Sequence, residues 1–373
     1  MNEEYLGQSI GKLGFGFMRM WTEEGLGINI DLLKKMIDRF LGAGFSYFDS
    51  SYYYTGSEEA LNEALVKRHP RSAYKLATKM PLSIINSRED MDKALGVSLG
   101  RLGLDYLDFY MLHGLSLESC KRMEDIGGWD FIRELKEQGR IGHYGFSYHD
   151  KADNLDEILT RHPDVGYAQI QLNYLDWDSA KVNSGRMYEI LRKHNKPFTI
   201  MSPVKGGLLS GAGSVAEKAL REVDPNVSAA SWAVRFAASH EGLITMLSGM
   251  STMEQLEDNI NTIQNLKPLT EDEMATLRKV ADLINSMPYV QCTDCRYCLR
   301  DCPKDLDIPK LIALYNEYLI FSQKNSIGYP FEQATEGGRL PSTCTACRNC
   351  EGHCPQGFEI SDLMQKMAPI LEG

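Results

Sequence analysis

Eight of the nine cysteines in this 373-residue chain fall in two runs near its end. The first is Cys292-x-x-Cys295-x-x-Cys298-x-x-x-Cys302-Pro303. The second is Cys344-x-x-Cys347-x-x-Cys350-x-x-x-Cys354-Pro355. Three closely spaced thiolates can hold three corners of one [4Fe–4S] cube, while the fourth, followed by proline, is carried away to ligate another cluster. The spacing predicts two clusters: one on Cys292, Cys295, Cys298 and Cys354, the other on Cys344, Cys347, Cys350 and Cys302. Zinc is disfavoured, because its cysteine ligands come in pairs separated by a longer loop. Disulfides are disfavoured, because the opening MNEEYLGQ is acidic and polar, unlike a secretory signal.

The two runs form an internal repeat, CTDCRYCLRDCP followed by Ile308 and Leu311 against CTACRNCEGHCP followed by Ile360 and Leu363. Between them, IPKLIALYNEYLIFSQ repeats apolar residues at helical spacing. The runs are of the bacterial ferredoxin type, and the helical insert resembles the α-helical ferredoxin domains of multi-subunit reductases. Compact ferredoxins keep their runs closer together.

The preceding part of the chain alternates short apolar strands with amphipathic helices from Ser9 to about residue 265, the mark of parallel βα units. After SIGKLGFGFMRM, the strands are YFDS, YKLATK, YLDFYMLH, GHYGFS, YAQIQLN, FTIMSP and LITMLSG. The first helix, IDLLKKMIDRFLGAG, has Asn29 or Asp31 for its N-cap and Gly42 or Gly44 for its end. About eight such units fit a (β/α)8 TIM barrel. A doubly wound sheet would want a glycine-rich phosphate turn after its first strand, and Gly11, Gly14 and Gly16 lack that spacing. The expected domains are a barrel over 1–270, then a linker helix, LTEDEMATLRKVADLINSM, and the cysteine-bearing helical domain over 271–373.

Asp49, Lys79, His113, Ser147 and Gln169 each fall at or just past the C-terminal end of a predicted strand, the face where barrels do chemistry. Singly, each has a plain structural use as a cap, a solvated strand end or a packed histidine. Together they form a pattern.

With YFDSSYYYTGSEEALNEAL, LATKMP, DFYMLHGL, GRIGHYGFSYH, YAQIQLNYLD and SGMSTMEQLEDN, residues 5–265 resemble the aldo-keto reductases. The whole chain is similar to the branch with a C-terminal ferredoxin-like domain. The resemblance implies NAD(P)H-dependent interconversion of a carbonyl and an alcohol by a tetrad of Asp49, Tyr54, Lys79 and His113. Tyr54 stands five places after Asp49, as the family motif requires; periodicity alone leaves Tyr52 and Tyr53 open. A tyrosine phenol, with a pKa of about 10, is a poor acid until a neighbouring ammonium favours its phenolate. Lys79 would do this, oriented by Asp49, and His113 would meet the substrate oxygen.

The resemblance also implies nicotinamide contacts at Ser147 and Gln169. Tyr148 stands where the family usually has Asn, and Met201, ahead of Ser202 and Pro203, stands where it usually has an aromatic platform. Lys205, Gly206 and Gly207 fall to the pyrophosphate; Gly249, Ser251, Gln255, Asp258 and Asn259 fall to the adenosine end. Gln255 replaces an Arg common in the family, which leaves NADPH and NADH both open. An amphipathic helix with polar caps is the plain alternative for that last stretch. Met18, Arg19 and Trp21 are placed at the barrel mouth, either lining it or packing beneath a loop. Cys120 is read as a small buried residue in the loop after His113.

Hydride transfer needs no iron, so the clusters are given one of three roles: electron supply through a bound two-electron carrier, structural closure of a small domain, or a relay on a barrel without catalysis. A flavin is compatible with the barrel, although no fingerprint for one is present. The runner-up function is an electron-transfer oxidoreductase whose clusters exchange electrons with an external ferredoxin-type carrier. A net charge of −11 argues against a nucleic-acid partner. No apolar run reaches the roughly 18 residues that span a bilayer. The expected location is the cytoplasm, in a low-oxygen setting that spares iron-bound thiolates.

Overall fold

The computed structural model describes residues 4–6, 8–18, 27–210, 214–321 and 328–372. Arg19 and Trp21 lie outside the described residues. The chain forms two compact units, residues 1–204 with 220–277, and residues 205–219 with 278–373.

In the first unit eight parallel strands close into a barrel. They are β1 (Leu13–Gly16), β2 (Tyr47–Asp49), β3 (Lys75–Met80), β4 (Leu107–Leu115), β5 (Ile141–Tyr148), β6 (Tyr167–Gln171), β7 (Phe198–Met201) and β8 (Leu243–Ser248), and β8 pairs with β1. Because every strand is parallel, all eight C-terminal ends open on one face. The register sets Asp49 opposite both Gly16 and Ala77, Lys79 opposite Met111, and Ser147 opposite Gln169.

The surrounding helices show why the sequence folds this way. In α1 (Ile30–Gly42), Leu33, Met36, Ile37 and Phe40 are buried at helical spacing. The Asn29 side chain caps the helix by accepting from the Leu32 amide at 3.0 Å. Phe40 packs edge-on to Phe48 of β2, ring centroids 5.3 Å apart, so Phe40→Ala would empty a site of about 3–5 kcal/mol. The short helix α2 (Ser57–Leu61) follows a left-handed Gly56 and runs into a π-helical turn at Asn62–Val66. In α3 (Arg88–Leu102), Ser87 caps the start and Gly103, at φ 68°, ends the helix.

Cys120 lies on a helix, not in a loop: α4 (Leu117–Asp125) precedes α5 (Gly128–Glu137). The polar sequence LESCKRMED hides it, but Ser116 and Ser119 form a reciprocal capping box, and Cys120 and Met123 pack inward. The barrel unit continues through α6 (Ala152–Arg161), α7 (Ser184–Lys193), the end of α8 (Val215–Val223), α9 (Ala229–Ala238) and α10 (Met253–Gln264).

After α11 (Glu271–Ser286), the second unit builds α12 (Ile308–Phe321), α13 (Gly328–Ala334), α14 (Asn349–Gly352) and α15 (Ile360–Leu371). Its small core includes Leu306, Leu311, Ile312, Met364 and Met367, and also Cys298 and Cys350. The repeat seen in sequence is also a repeat of backbone. Asp294, Arg296 and Asp305 have positive φ in the first run; Ala346, Arg348 and Gly357 have it at the matching places of the second. Such turns of the chain fold each run back on itself, and five of these six residues carry a Cβ into a conformation that disfavours one.

Candidate active site and cysteine centre

The C-terminal ends of β2 to β6 deliver the expected polar residues to one region. Lys79 is fully buried, and its ammonium donates to Asp49 Oδ1 at 2.5 Å and to the Ser50 carbonyl at 2.7 Å. Gln169 donates to the other oxygen, Asp49 Oδ2, at 3.3 Å. Burial pulls Lys79 below its ordinary value, opposed by the charges of Asp49 and Glu58. Burial likewise raises Asp49, and Lys79 opposes it.

The loop after β2 sets the tyrosines. Lys79 Nζ stands 5.2 Å from the centre of the Tyr54 ring. Tyr54 meets His113 nearly at right angles, ring centroids 5.9 Å apart. Tyr53 also neighbours His113, but its hydroxyl is hydrogen-bonded to Ser83 Oγ, and the Tyr52 ring lies under the Arg101 guanidinium at 4.7 Å. Of the three adjacent tyrosines, Tyr54 is the one whose ring faces both Lys79 and His113.

Several participants were not singled out by sequence. Ser51 Oγ lies 2.8 Å from His113 Nδ1. Glu58 is buried behind Lys79, where Thr78 Oγ1 donates to its Oε1 at 2.6 Å and Arg101 to its Oε2 at 3.3 Å. In the sequence Glu58 looks like an ordinary first-turn acid of a helix. His149, just past β5, is pushed down to about 4 by burial and then by the Lys79 charge, so it is neutral at neutral pH.

Ser147 is buried in β5, and its Oγ accepts from the Gly114 amide at 2.8 Å. That leaves its proton without an acceptor among the described residues. Gln169 spends its amide on Asp49 and keeps its carbonyl oxygen. A donor beside an acceptor matches a primary carboxamide, so these residues fit the nicotinamide group.

The other expected nucleotide contacts are held differently. Ser202, at φ 56°, follows Met201 directly, and its carbonyl accepts from Asn173. Pro203 comes next. Lys205 and Gly206 belong to the second unit, where the buried Lys205 ammonium donates to Gln356 Oε1 at 3.0 Å. Gly249 follows β8. Gln255 Oε1 accepts from the Ser251 amide at 2.8 Å, closing the start of α10. Asp258 accepts from Ser228 Oγ at 2.6 Å, and Asn259 donates to Ser248 Oγ at 2.9 Å. These last two side chains tie α10 to its surroundings.

Within the second unit a cavity is lined by Cys302, Cys344, Cys347 and Cys350, with Leu306 and Met364. Burial raises the Cys298 thiol, and the charges that Cys295, Cys292, Cys354 and Cys350 would carry raise it further. Burial and neighbouring thiols push Cys292 and Cys350 up to about 11. Soft sulfur donors gathered in one unit fit iron–sulfur ligation. His353 Nε2 and Asp301 Oδ2, each just before the fourth cysteine of its run, meet at 2.6 Å and join the two repeats.

One further set of donors, Cys120, Glu124 and His162, lies within 4.8 Å in the barrel unit. It reads as an ion-pair network: Arg161 grips the Glu124 carboxylate with two nitrogens, His162 Nε2 joins it at 2.8 Å, and Trp129 stacks on His162.

Residues 12–282 match the Aldo/keto reductase family. The chain belongs to that family. Residues 291–359 match the 4Fe-4S dicluster domain, so this aldo/keto reductase carries an iron–sulfur domain at its C-terminal side. It is 26% identical to an uncharacterized oxidoreductase of Bacillus subtilis, across 74% of this chain and 96% of that one. It is 25% identical to L-galactose dehydrogenase of Arabidopsis thaliana, across 74% and 92%. Its fold is similar to an aldo-keto reductase from Bacillus halodurans in holo form, with TM-score 0.58, 22% identity, and coverage of 74% and 93%. It is also similar to an aldo-keto reductase from Klebsiella pneumoniae in complex with NADPH, with TM-score 0.57, 19% identity, and coverage of 73% and 92%. No helix among the described residues is long and apolar enough to cross a membrane.

Proposed function

We propose that the barrel reduces an aldehyde or ketone with NADPH or NADH, or runs the reverse oxidation of an alcohol, with Tyr54 as general acid. The observation that carries this reading is the buried Lys79–Asp49 pair with the Lys79 ammonium 5.2 Å from the Tyr54 ring. A reduced nicotinamide, when bound, supplies the hydride. The remaining tasks belong to this chain. Ser147 and Gln169 orient the carboxamide. Lys79 stabilises the Tyr54 phenolate left when the phenol gives its proton to the carbonyl oxygen. Asp49 keeps Lys79 charged and in place, and His113 donates to the developing oxyanion. Ser202, Pro203, Lys205, Gly206, Gly249, Ser251, Gln255, Asp258 and Asn259 remain candidates for the rest of the nucleotide. The test is Tyr54→Phe, assayed with NADPH and NADH against a panel of aldehydes: turnover should fall by about 10²–10⁴, the usual worth of a general acid. Turnover equal to wild type would overturn the reading.

The second reading concerns the thiols. Their grouping supports two [4Fe–4S] clusters, on Cys292, Cys295, Cys298 and Cys354, and on Cys302, Cys344, Cys347 and Cys350. Such clusters exchange single electrons with an external carrier of ferredoxin type, in a cytoplasmic, low-oxygen setting. Anaerobic titration with NADPH, followed by electron paramagnetic resonance, tests whether nicotinamide reduces them. Unreduced clusters alongside aldehyde turnover would mean that the barrel works alone.

A further inference from the structure

We infer that Ser51 sets the tautomer of His113: the Ser51 hydroxyl donates to Nδ1, and the ring proton sits on Nε2. The inference rests on the reductase reading above and assigns a positioning residue to it.

The geometry decides the direction of the hydrogen bond. Ser51 Oγ and His113 Nδ1 are 2.8 Å apart, and both residues are buried. A hydroxyl has one proton and two lone pairs. The Tyr53 amide, at 3.2 Å, donates to Ser51 Oγ and uses one lone pair. If Nδ1–H also donated, Ser51 Oγ would accept twice and its own proton would have no acceptor among the described residues. A buried donor left unpaired is the costly arrangement. If the hydroxyl donates instead, both Ser51 Oγ and His113 Nδ1 are satisfied. The nitrogen that carries the proton is set by the bond the other one makes. His113 is thereby left with an N–H donor at Nε2, the form able to hydrogen-bond a carbonyl oxygen and the alkoxide that develops from it.

The sequence supports the same arrangement. Asp49 ends β2, and Ser51 and Tyr54 stand in the turn just after it, closed by the Tyr54 amide on the Ser51 carbonyl at 2.9 Å. A strand end and the turn that follows therefore supply the acid, the partner of the lysine and the orienter of the histidine.

The test uses the full-length protein with its clusters oxidised and its histidines labelled with nitrogen-15. Nuclear magnetic resonance of the ring nitrogens distinguishes a bare from a protonated Nδ1, and His113→Asn identifies the signal by its disappearance. The wild type should show bare Nδ1 and protonated Nε2 at His113; a protonated Nδ1 overturns the inference. Ser51→Ala should mix the two tautomers and lower kcat about tenfold, with KM for the nicotinamide unchanged. Ser51→Thr, which keeps the hydroxyl, should restore both. An unchanged kcat in Ser51→Ala also overturns the inference. If Ser51→Ala does not fold, the wild-type resonance and Ser51→Thr still decide it. A wild type that reduces no carbonyl sinks the reductase reading instead, and leaves the resonance to judge the hydrogen bond.

Discussion

The two units bury polar chemistry in opposite ways. In the barrel a large apolar core exists first, and charges are admitted to it only in company. Lys79 has Asp49 and the Ser50 carbonyl, and Glu58 has Thr78 and Arg101. In the cysteine unit the candidate ligands are part of the core, since Cys298 and Cys350 belong to its buried cluster and four other cysteines pack against it. Thiols there are held above their ordinary range by burial, so on their own they stay protonated. A barrel can position a site because its framework is complete without the site. A unit whose core includes its candidate ligands is expected to draw on ligation for its framework.

The largest expected effect breaks the second unit alone. Removing iron with a chelator, or replacing Cys298 by Ala, should unfold residues from about 290 onward while the barrel stays folded, because ligation is folding free energy in such a unit. Limited proteolysis and circular dichroism would show it. Retention of both units without iron would end the contrast.

Next comes the buried pair. Lys79→Met leaves buried Asp49 without its cationic partner, with Gln169 still donating to it, and should lower stability by about 3–5 kcal/mol. The double variant Asp49→Asn with Lys79→Met removes both charges and should recover much of that loss, although neither variant should turn over aldehyde. Denaturant unfolding measures both. Equal destabilisation in the two would mean that the pair is not an interacting unit.

Smaller is Glu58→Gln, which removes a buried charge partner of Arg101 and weakens the field behind Lys79. A loss of about 1–3 kcal/mol is expected, with the fold intact. Smaller still is the acid response of the barrel surface. Asp164 is held well below the usual carboxylate range, chiefly by hydrogen bonds from Arg133, with Tyr144 adding another. Its stabilising contribution is complete above about pH 4, the unfolded value, and is lost as the pH falls toward the lower folded one. Asp164→Asn should flatten that part of the stability profile. In the second unit, Ala346→Gly relieves a left-handed alanine, and a gain of about 1 kcal/mol is expected in its thermal transition.

Much of this organisation was legible in the chain. Period-two and period-3.6 patterns mark the strands and helices of the barrel, because burial on one face acts locally and repeatedly. The polar residues at the ends of β2 to β6 stood out for the same reason, as breaks in apolar strands. What escaped were residues whose neighbours are distant in sequence. Cys120 looked like part of a loop because the polar composition of α4 conceals a capped helix. Glu58 was not singled out, yet it meets Thr78 and Arg101. Ser51 was not singled out, yet it meets His113 from 62 positions away.

By itself, the sequence determined two things: the alternation that makes a barrel, and the two cysteine runs with their repeat. Both are properties of spacing along the chain, where chemistry and burial act on near neighbours. Tertiary structure decided what periodicity left open, that Tyr54 of the three adjacent tyrosines faces Lys79, and it alone decided that Lys205 meets Gln356 in the second unit. It also decided which nitrogen of His113 is held by a serine. Those are contacts across the closure of the barrel and the folding of the second unit. A hydrogen bond or ion pair is set by distances of a few tenths of an ångström, which no spacing in the chain encodes.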